Sequence, residues 1–232
     1  MKIIHLSDTH VDPEILSKID SQQRFRQAVD HIKDNHNDAD HFMITGDLTH
    51  FGNDESYQFF INILSDAGLP DHLYPKLILG NHDDRENFKK NFPNTKTDEN
   101  GFVQYTEKDN DKVFIFLDTN LANTDAGHLC DKRQQWLRET LDKEQKNKIY
   151  IFMHHNPLAI GHINSDDIGL VQRADLKKIL LQYQNSIQHI FFGHQHVTSS
   201  GKYLDITFSS PRSTWSPLVP NFLDRYRLGT AN

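Results

Sequence analysis

The chain has 232 residues, of which 36% are hydrophobic and 25% charged, a composition typical of a folded globular protein rather than a disordered one. This length suits one large core or, as an alternative, two small ones. The formal net charge is −7 with histidine neutral, which argues against broad binding of nucleic-acid polymers, because such binding needs a basic surface. Two bound divalent cations would offset about four of these negative charges.

The cysteine content and the N-terminal segment indicate the cellular compartment in which the protein is expected. Cys130 is the single cysteine, so neither an intrachain disulfide nor a thiolate-rich zinc site can form. Residues 1–8 lack the apolar segment and cleavage site of a signal peptide. No run reaches the ~18 apolar residues that a membrane span requires. We therefore predict a cytoplasmic protein without a membrane partner.

Strands and helices alternate in the first third of the chain. The helices are indicated by apolar residues at helical spacing, for example Phe25, Val29 and Ile32, and Gly68 ends the second one. The predicted elements are a strand at 2–6, a helix at 22–35, a strand at 42–45, a helix at 54–67 and a strand at 73–79. Such alternation with short links predicts a parallel sheet.

The rest of the chain predicts a hairpin and then further alternating elements. After a loop at 92–101 come strands at 102–106 and 113–117 around a charged turn at 107–112, a helix at 131–146, a strand at 149–153, a helix at 172–184, and strands at 187–192 and 202–208. No linker divides this part, so residues 1–208 are predicted to form one domain of two packed sheets covered by helices. Residues 209–232 are rich in proline and serine and are predicted to be a C-terminal tail, either an arm or a truncated end.

Residues of metal-ligand type follow five of the apolar runs. They are Asp8, His10, Asp47, Asn81, His154, His194 and His196. A mixed set of nitrogen and oxygen donors without thiolate suits Mn, Fe, Zn or Co better than Ca or Mg. Residues two apart in an extended segment point to the same side, so Asp8 and His10 can converge on one ion. The central hypothesis is that Asp47 bridges two divalent or trivalent metal ions.

Glycine precedes three of these residues, and most other histidines lie outside any motif. Gly46, Gly80 and Gly193 are expected to allow backbone conformations that residues with a Cβ atom resist. The chain has 15 histidines. Eight of them are predicted to have ordinary structural or surface roles: His31, His36, His41, His50, His72, His128, His162 and His189.

Taken in order, the motifs resemble those of a known superfamily. Asp8-Thr9-His10, Gly46-Asp47, Gly80-Asn81-His82-Asp83, His154-His155 and Gly193-His194-Gln195-His196 are similar to the motifs of the calcineurin-like metallophosphoesterases. The resemblance extends to about residue 208 and is strongest to bacterial class III cyclic-nucleotide phosphodiesterases and glycerophosphodiesterases. It implies an α/β fold, a four-layer αββα sandwich of two mixed sheets flanked by helices, with metals at the strand ends.

The resemblance also implies roles for individual residues. It assigns a first metal to Asp8, His10, Asp47 and His196, and a second metal to Asp47, Asn81, His154 and His194. His82 would stand beside the metals and reach the phosphoryl oxygen or the leaving group, and Asn81 and His196 would also contact the substrate. Asp47 and a hydroxide would bridge the two ions, and the hydroxide would attack phosphorus in line.

The expected activity is hydrolysis of a small phosphodiester, either a cyclic nucleotide such as 3',5'-cAMP or a glycerophosphodiester. Two alternatives remain: a phosphomonoesterase acting on a nucleotide or another small phosphate, and a metal-free interaction scaffold. A homo-oligomer is compatible with the sequence.

Several further residues are predicted to be structural. His155 is expected to pack or hydrogen-bond behind the ligands. Asp83 either orients His82 or caps the segment that follows. Asp118, Tyr105 and Trp215 are predicted to have structural roles, and Arg212 to be solvated. The chain departs from the family pattern at Asn156-Pro157, where relatives often have two prolines, and over residues 209–215.

Overall fold

The computed structural model describes residues 1–161 and 166–218. Its strands are β1 Ile3–Leu6, β2 His41–Thr45, β3 Lys76–Ile78, β4 Tyr105–Asp109, β5 Lys112–Phe116, β6 Lys148–Phe152, β7 Ile187–Phe191, β8 Ser199–Tyr203 and β9 Ile206–Ser210. Its helices are α1 Ser21–Asn35, α2 Asp54–Ala67, α3 Arg85–Asn91, α4 Asp131–Glu144 and α5 Arg173–Tyr183, with a 3₁₀ turn at Asp71–Leu73. Within these two ranges, no helix combines the length and the hydropathy needed to cross a membrane.

The strands form two sheets. One has the order β1-β2-β3 and is parallel, and the other has the order β4-β5-β6-β7-β9-β8. In the larger sheet β5, β6, β7 and β9 run parallel, while the outer pairs β4-β5 and β8-β9 are antiparallel hairpins. Two sheets flanked by helices confirm the predicted α/β sandwich. The described part of the smaller sheet is parallel, so only the larger sheet is mixed.

The apolar side chains form three layers of core. Successive residues of a strand point to opposite faces, and β2 illustrates this: Phe42 and Ile44 pack towards α1 and α2, while Met43 packs against the second sheet. In β5, Phe114 and Phe116 face the first sheet. Alternate residues of β5 instead pack with α4 and α5. The alternation therefore gives one core between the sheets and one under each helical layer.

Helix α2 confirms the predicted bounds residue for residue. Its start is fixed by Asn53, whose side chain accepts a hydrogen bond from the Ser56 amide, and its end by Gly68 in the left-handed conformation with φ of 60°. α1, α4, α5, β1, β2, β6 and β7 differ from the predicted bounds by one or two residues at an end, which is the usual uncertainty of element ends.

Three strand predictions were wrong in detail. Residues 202–208 are not one strand, because Leu204 and Asp205 adopt φ of 56° and 60° and turn the chain between β8 and β9. The first hairpin turns tightly at Asn110, with φ of 55°, so β4 is shifted to Tyr105–Asp109. The strand predicted at 73–79 is only Lys76–Ile78, since a 3₁₀ turn precedes it.

The proposed boundary after residue 208 falls within β9. Residues 211–218 continue from this strand and contact the loop after β1 through Ser213 and Trp215. Residues 219–232 of the predicted tail, and His162, lie outside the described residues. The division into a domain and a tail remains a prediction.

Candidate metal centre

The predicted ligands lie in the loops that follow β1, β2, β3, β6 and β7, and the structure brings all seven together. Backbone hydrogen bonds join these loops in pairs. The amides of Asp8 and His10 donate to the carbonyl oxygens of Gly46 and Asp47 at 3.1 and 2.9 Å. On the other side, the Gly193 amide donates to the His154 carbonyl at 3.0 Å. The ends of five strands from the two sheets therefore bring these polar side chains into one cluster.

One set of donor atoms surrounds the first predicted metal position. His10 Nε2 lies 3.4 Å from Asp47 Oδ2 and 3.3 Å from His196 Nε2. His196 Nε2 in turn lies 3.5 Å from Asp8 Oδ1. One ligand atom from each of Asp8, His10, Asp47 and His196 lies within 4.8 Å of the others. A cluster of this size is compatible with a single ion.

A second set lies on the other side of Asp47. His154 Nε2 is 3.4 Å from Asp47 Oδ1 and 3.1 Å from Asn81 Oδ1. His194 Nδ1 is 3.0 Å from the same Asn81 oxygen. The two carboxylate oxygens of Asp47 thus face different sets of donors.

The hydrogen-bond partners of three histidines show that the two sets fit metal ions. His154 Nδ1 lies 2.7 Å from the Thr45 carbonyl, His194 Nε2 3.0 Å from the Ile168 carbonyl and His196 Nδ1 2.8 Å from the Ser216 carbonyl. A carbonyl only accepts, so each of these nitrogens carries the hydrogen and, when the ring is neutral, the other ring nitrogen has the lone pair. In the neutral rings those lone pairs face the oxygens of Asp8, Asp47 and Asn81, so a positive charge, either a metal ion or a proton, is needed between them.

The charges within the cluster shift the pKa values of its members in the metal-free protein. Burial opposes protonation of His154, but Asp47 and Asp8 outweigh it and raise the pKa of His154 to about 9. Burial also opposes ionisation of Asp47, yet His154 and His10 hold the pKa of Asp47 well below its usual range. Burial together with His154 lowers the pKa of His194 to about 3. Without metal, a proton on His154 provides the positive charge that the donors require.

A model of the calcineurin-like phosphoesterase family matches residues 1–198. The chain belongs to this family. It is 30% identical over 217 residues to a probable cyclic nucleotide phosphodiesterase of Rhodopseudomonas palustris, covering 91% of this chain and 77% of the relative. It is 28% identical to a probable glycerophosphodiester phosphodiesterase of Arcobacter nitrofigilis, covering 91% and 78%. A dimetal phosphatase from Danio rerio shares the fold, with a TM-score of 0.73, 12% identity and coverage of 91% and 87%.

These matches confirm the predicted resemblance. The protein is a phosphoric ester hydrolase, and its curated relatives include both kinds of phosphodiesterase that the motifs indicated.

The backbone of this phosphoesterase is strained where the candidate ligands lie. Five of the seven have a positive φ that residues with a Cβ atom seldom adopt: Asp8 at 57°, His10 at 44°, Asp47 at 49°, His194 at 69° and His196 at 53°. Each such residue costs on the order of 1–3 kcal/mol. The pattern of residue types does not predict this feature, because the strain is imposed by the surrounding loops.

The glycines beside the ligands have two different roles. Gly46 has a φ of 90°, as predicted. The same explanation was wrong for Gly80 and Gly193, which are not in the left-handed region. A Cβ atom at Gly80 would lie 2.1 Å from Asp47 Oδ1, and one at Gly193 would lie 1.8 Å from the hydroxyl oxygen of Ser7. These two glycines allow neighbouring loops to approach closely.

His82 lies beside the donor atoms. Its amide donates to Asp47 Oδ1 at 2.9 Å, and its ring Nδ1 donates to the His50 carbonyl at 2.8 Å. The ring is half-buried and lies 4.6 Å from the His10 ring, measured between centroids. Nε2 is therefore the ring atom with a free lone pair.

Asp83 connects the loops around the centre. Its carboxylate accepts hydrogen bonds from the amides of Gly80 and Leu48 at 2.9 and 3.2 Å and from the Tyr57 hydroxyl at 3.1 Å. Burial, followed by the charge of Asp47, raises its pKa to about 7. These contacts favour the structural alternative for Asp83 over the orientation of His82.

His155 and Asp118 have the contacts expected of structural residues. Both ring nitrogens of His155 are occupied, one by the Thr119 hydroxyl at 2.7 Å and the other by the Asp125 carbonyl at 3.2 Å. Asp118 accepts two hydrogen bonds from the guanidinium group of Arg85 at 2.7 and 2.9 Å. Arg85 begins α3, so this pair fixes the loop that carries Asn81.

Two residues at the centre were not predicted to be there. His50 was predicted to have an ordinary role, but its Nδ1 lies 3.3 Å from His10 Nδ1. The sequence could have indicated this, because His50 follows the candidate ligand Asp47 by only three residues. Trp215 was predicted to be a core or rim aromatic, and its ring lies 4.7 Å from the His10 ring. Only the fold brings Trp215 back across the loop after β1.

Proposed function

We propose that this phosphoesterase hydrolyses a small phosphodiester, either a cyclic nucleotide such as 3',5'-cAMP or a glycerophosphodiester, at a metal pair bridged by Asp47. The observation that carries the proposal is the position of the Asp47 carboxylate. Oδ2 lies 3.4 Å from His10 Nε2, and Oδ1 lies 3.4 Å from His154 Nε2. The names of the relatives from Rhodopseudomonas palustris and Arcobacter nitrofigilis support a phosphodiester over a monoester.

The proposed metals are two ions of Mn, Fe, Zn or Co, because the donors are nitrogen and oxygen. The first would be held by Asp8, His10, Asp47 and His196, and the second by Asp47, Asn81, His154 and His194. When bound, such a pair lowers the pKa of a water molecule and polarises the phosphoryl oxygen. The carbonyl partners of His154, His194 and His196 orient the rings and fix the tautomer of each neutral imidazole, so that the lone pair is on the nitrogen that would bind metal.

The protein itself contributes orientation, exclusion of water and a proton. Asp8, Asp47 and His154 are 2% exposed or less, so charges near them interact through little solvent. His82 donates from Nδ1 to the His50 carbonyl, which leaves Nε2, once protonated, to donate to the phosphoryl oxygen or to protonate the leaving group. General acid catalysis of this kind contributes about 10²–10⁴-fold. We propose Asn81, His82 and His196 as the substrate contacts.

The test compares bis(p-nitrophenyl) phosphate with p-nitrophenyl phosphate in the presence of Mn²⁺, together with metal analysis. We expect two ions per chain and faster hydrolysis of the diester. Asp47→Ala removes a donor from both sets, so we expect it to lose both ions and at least about 100-fold in activity, more than a residue behind the ligands would cost. Asp66→Ala, at an aspartate whose side chain is 63% exposed on α2, is the matched control.

Each contrary outcome has a distinct meaning. Activity on the monoester alone would support the phosphomonoesterase and contradict the diesterase. A chain that binds no transition metal after addition of Mn²⁺ would support the scaffold. Metal content in Asp47→Ala equal to that of the unmodified protein would contradict bridging by this carboxylate. Assays with 3',5'-cAMP and a glycerophosphodiester then distinguish the two substrate classes. Cytoplasmic location and homo-oligomerisation remain predictions.

A further inference from the structure

Residues 211–218, here named the strap, run from the end of β9 over the loop that follows β1. Ser213 is its central residue and is 3% exposed. The Ser213 hydroxyl donates to the Asp8 carbonyl at 2.7 Å and accepts from the amides of Trp215 and Ser216, each at 3.0 Å. One buried hydroxyl thus fixes the turn of the strap and attaches that turn to the backbone of Asp8.

The strap also contacts two histidines of the first donor set. The Ser216 carbonyl accepts from His196 Nδ1 at 2.8 Å, and the Leu218 amide donates to the His196 carbonyl at 2.9 Å. The Trp215 ring lies 4.7 Å from the His10 ring and 6.1 Å from the His196 ring. The strap therefore contacts Asp8, His10 and His196.

The second donor set is held by other parts of the chain. His154 is oriented by the Thr45 carbonyl at the end of β2, and His194 by the Ile168 carbonyl before α5. Over residues 1–161 and 166–218, no hydrogen bond or ring contact joins the strap to Asn81, His154 or His194. The contacts of the strap are thus limited to one half of the proposed metal pair.

We propose that the strap positions the ligands of the first metal ion, with Ser213 as its positioning residue. This inference rests on the proposed two-metal site. The Ser216 carbonyl determines which nitrogen of His196 has the lone pair, and the Ser213 hydroxyl holds Asp8 in its left-handed conformation, with φ of 57°. Partners behind a metal ligand typically change metal affinity by about 10–100-fold. Loss of the strap contacts is therefore expected to weaken the first ion selectively.

Two substitutions test the strap, one within it and one at a residue of α1 that holds it. Ser213→Ala removes the central hydroxyl. Arg24→Ala removes a hydrogen bond from the exposed Arg24 of α1 to the Trp215 carbonyl. Ser200→Ala, at an exposed serine of β8, is the matched control. Mn²⁺ and Co²⁺ are titrated by calorimetry into the full chain, and Trp215 fluorescence is recorded in a Trp136→Phe background, since these are the only two tryptophans.

We expect the unmodified chain to bind two ions, one of which quenches Trp215. Ser213→Ala should weaken that ion about 10–100-fold and leave the other within about threefold. Arg24→Ala should act in the same direction with a smaller effect, and Ser200→Ala should have none. If Ser213→Ala fails to fold, Arg24→Ala decides the question.

Two results would overturn the inference: equal weakening of both ions, or unchanged affinities in both strap variants. An unmodified chain that binds fewer than two ions would instead contradict the proposed function, so the two failures are distinguishable.

Discussion

Asn81 contributes the single amide among the seven candidate ligands. Its Oδ1 lies 3.1 Å from His154 Nε2 and 3.0 Å from His194 Nδ1. An amide oxygen carries no net charge, so it attracts a cation less strongly than a carboxylate does. The first donor set contains Asp8 as well as Asp47, whereas the second contains Asp47 alone. The second ion is therefore expected to bind more weakly than the first.

Asn81→Ala is predicted to weaken the second ion selectively. Removal of a direct oxygen donor should lower the affinity of that ion by at least about 10–100-fold, the effect typical of residues behind the ligands, and leave the first ion nearly unchanged. Turnover should fall in parallel at limiting Mn²⁺ and recover in part at high Mn²⁺. The measurements are a Mn²⁺ titration and kcat as a function of Mn²⁺ concentration. Asn94→Ala, at an exposed asparagine, is the control, and loss of both ions from Asn81→Ala would refute the assignment.

At the residue scale, the sequence predicts which side chains meet but not how their backbone aims them. Asp8, His10, Asp47 and the others could be found because each follows an apolar run. The positive φ of five ligands and the strap contacts of Trp215 could not, since both depend on which loops come together in the folded chain. The residue types in one segment of the sequence do not indicate such contacts between distant segments.

At the element scale, the centre depends on how closely the loop after β7 approaches the loop after β1. The absence of a side chain at Gly193 allows that approach, because a Cβ atom there would lie 1.8 Å from Ser7 Oγ and 2.9 Å from Asp8 Oδ2. The His194 amide also donates to both oxygens of Asp8, at 3.0 and 3.1 Å. Displacement of this loop would therefore affect Asp8 and His194 together.

Gly193→Ala is predicted to damage both donor sets, unlike Asn81→Ala. Forcing a methyl group into a tightly packed contact typically costs about 1–3 kcal/mol, and the shift that relieves it moves Asp8 in one set and His194 in the other. Urea unfolding and Mn²⁺ titration should both register the change. Gly201→Ala is the control, because its nearest neighbour is the edge of the Phe208 ring at 3.1 Å, away from the centre. Normal affinity for both ions in Gly193→Ala would contradict this prediction, because the centre would then not depend on the close approach of the loops after β1 and β7.

The elements themselves were predicted where local signals mark their ends. α2 was predicted in full from its apolar spacing and from Gly68 at its end, and the structure adds the Asn53 cap at its start. The hairpin of β8 and β9 was read as one strand because Leu204 and Asp205 turn the chain without a glycine or proline to indicate it. Pairing with β7 and β8 holds β9 in place, and such pairing is not visible in a local pattern.

At the scale of the whole molecule, the two sheets bring buried carboxylates and histidines together, so stability depends on what neutralises them. In the metal-free protein, a proton on His154 has this role. Burial opposes it, but Asp47 and Asp8 raise the pKa of His154 in the folded state to about 9, from 6.5. A raised pKa means that the folded state binds the proton more tightly than the unfolded state does.

We therefore predict that the metal-free protein loses stability as the pH rises. The contribution of His154 is fully present below about pH 6.5 and is lost as the pH passes through about 9, a decrease on the order of 3 kcal/mol in the free energy of unfolding. Asp83, whose pKa is raised from 3.8 to about 7, also binds its proton more tightly in the folded state. Its contribution is lost as the pH rises through about 7, below the range in which His154 titrates. Urea unfolding in EDTA at pH 6.5, 7.5 and 9 measures this decrease.

Mn²⁺ should remove much of this dependence, because the cation replaces the proton and binds more tightly as His154 deprotonates. Unfolding with Mn²⁺ at pH 6.5 and 8 should therefore show a smaller decrease than in EDTA. In EDTA, His154→Gln should flatten the curve between pH 7.5 and 9, whereas His31→Gln, at an exposed histidine of α1, should leave it unchanged. Metal-free stability that stays constant or rises between pH 7.5 and 9 would mean that the donors are not held together by a proton on His154.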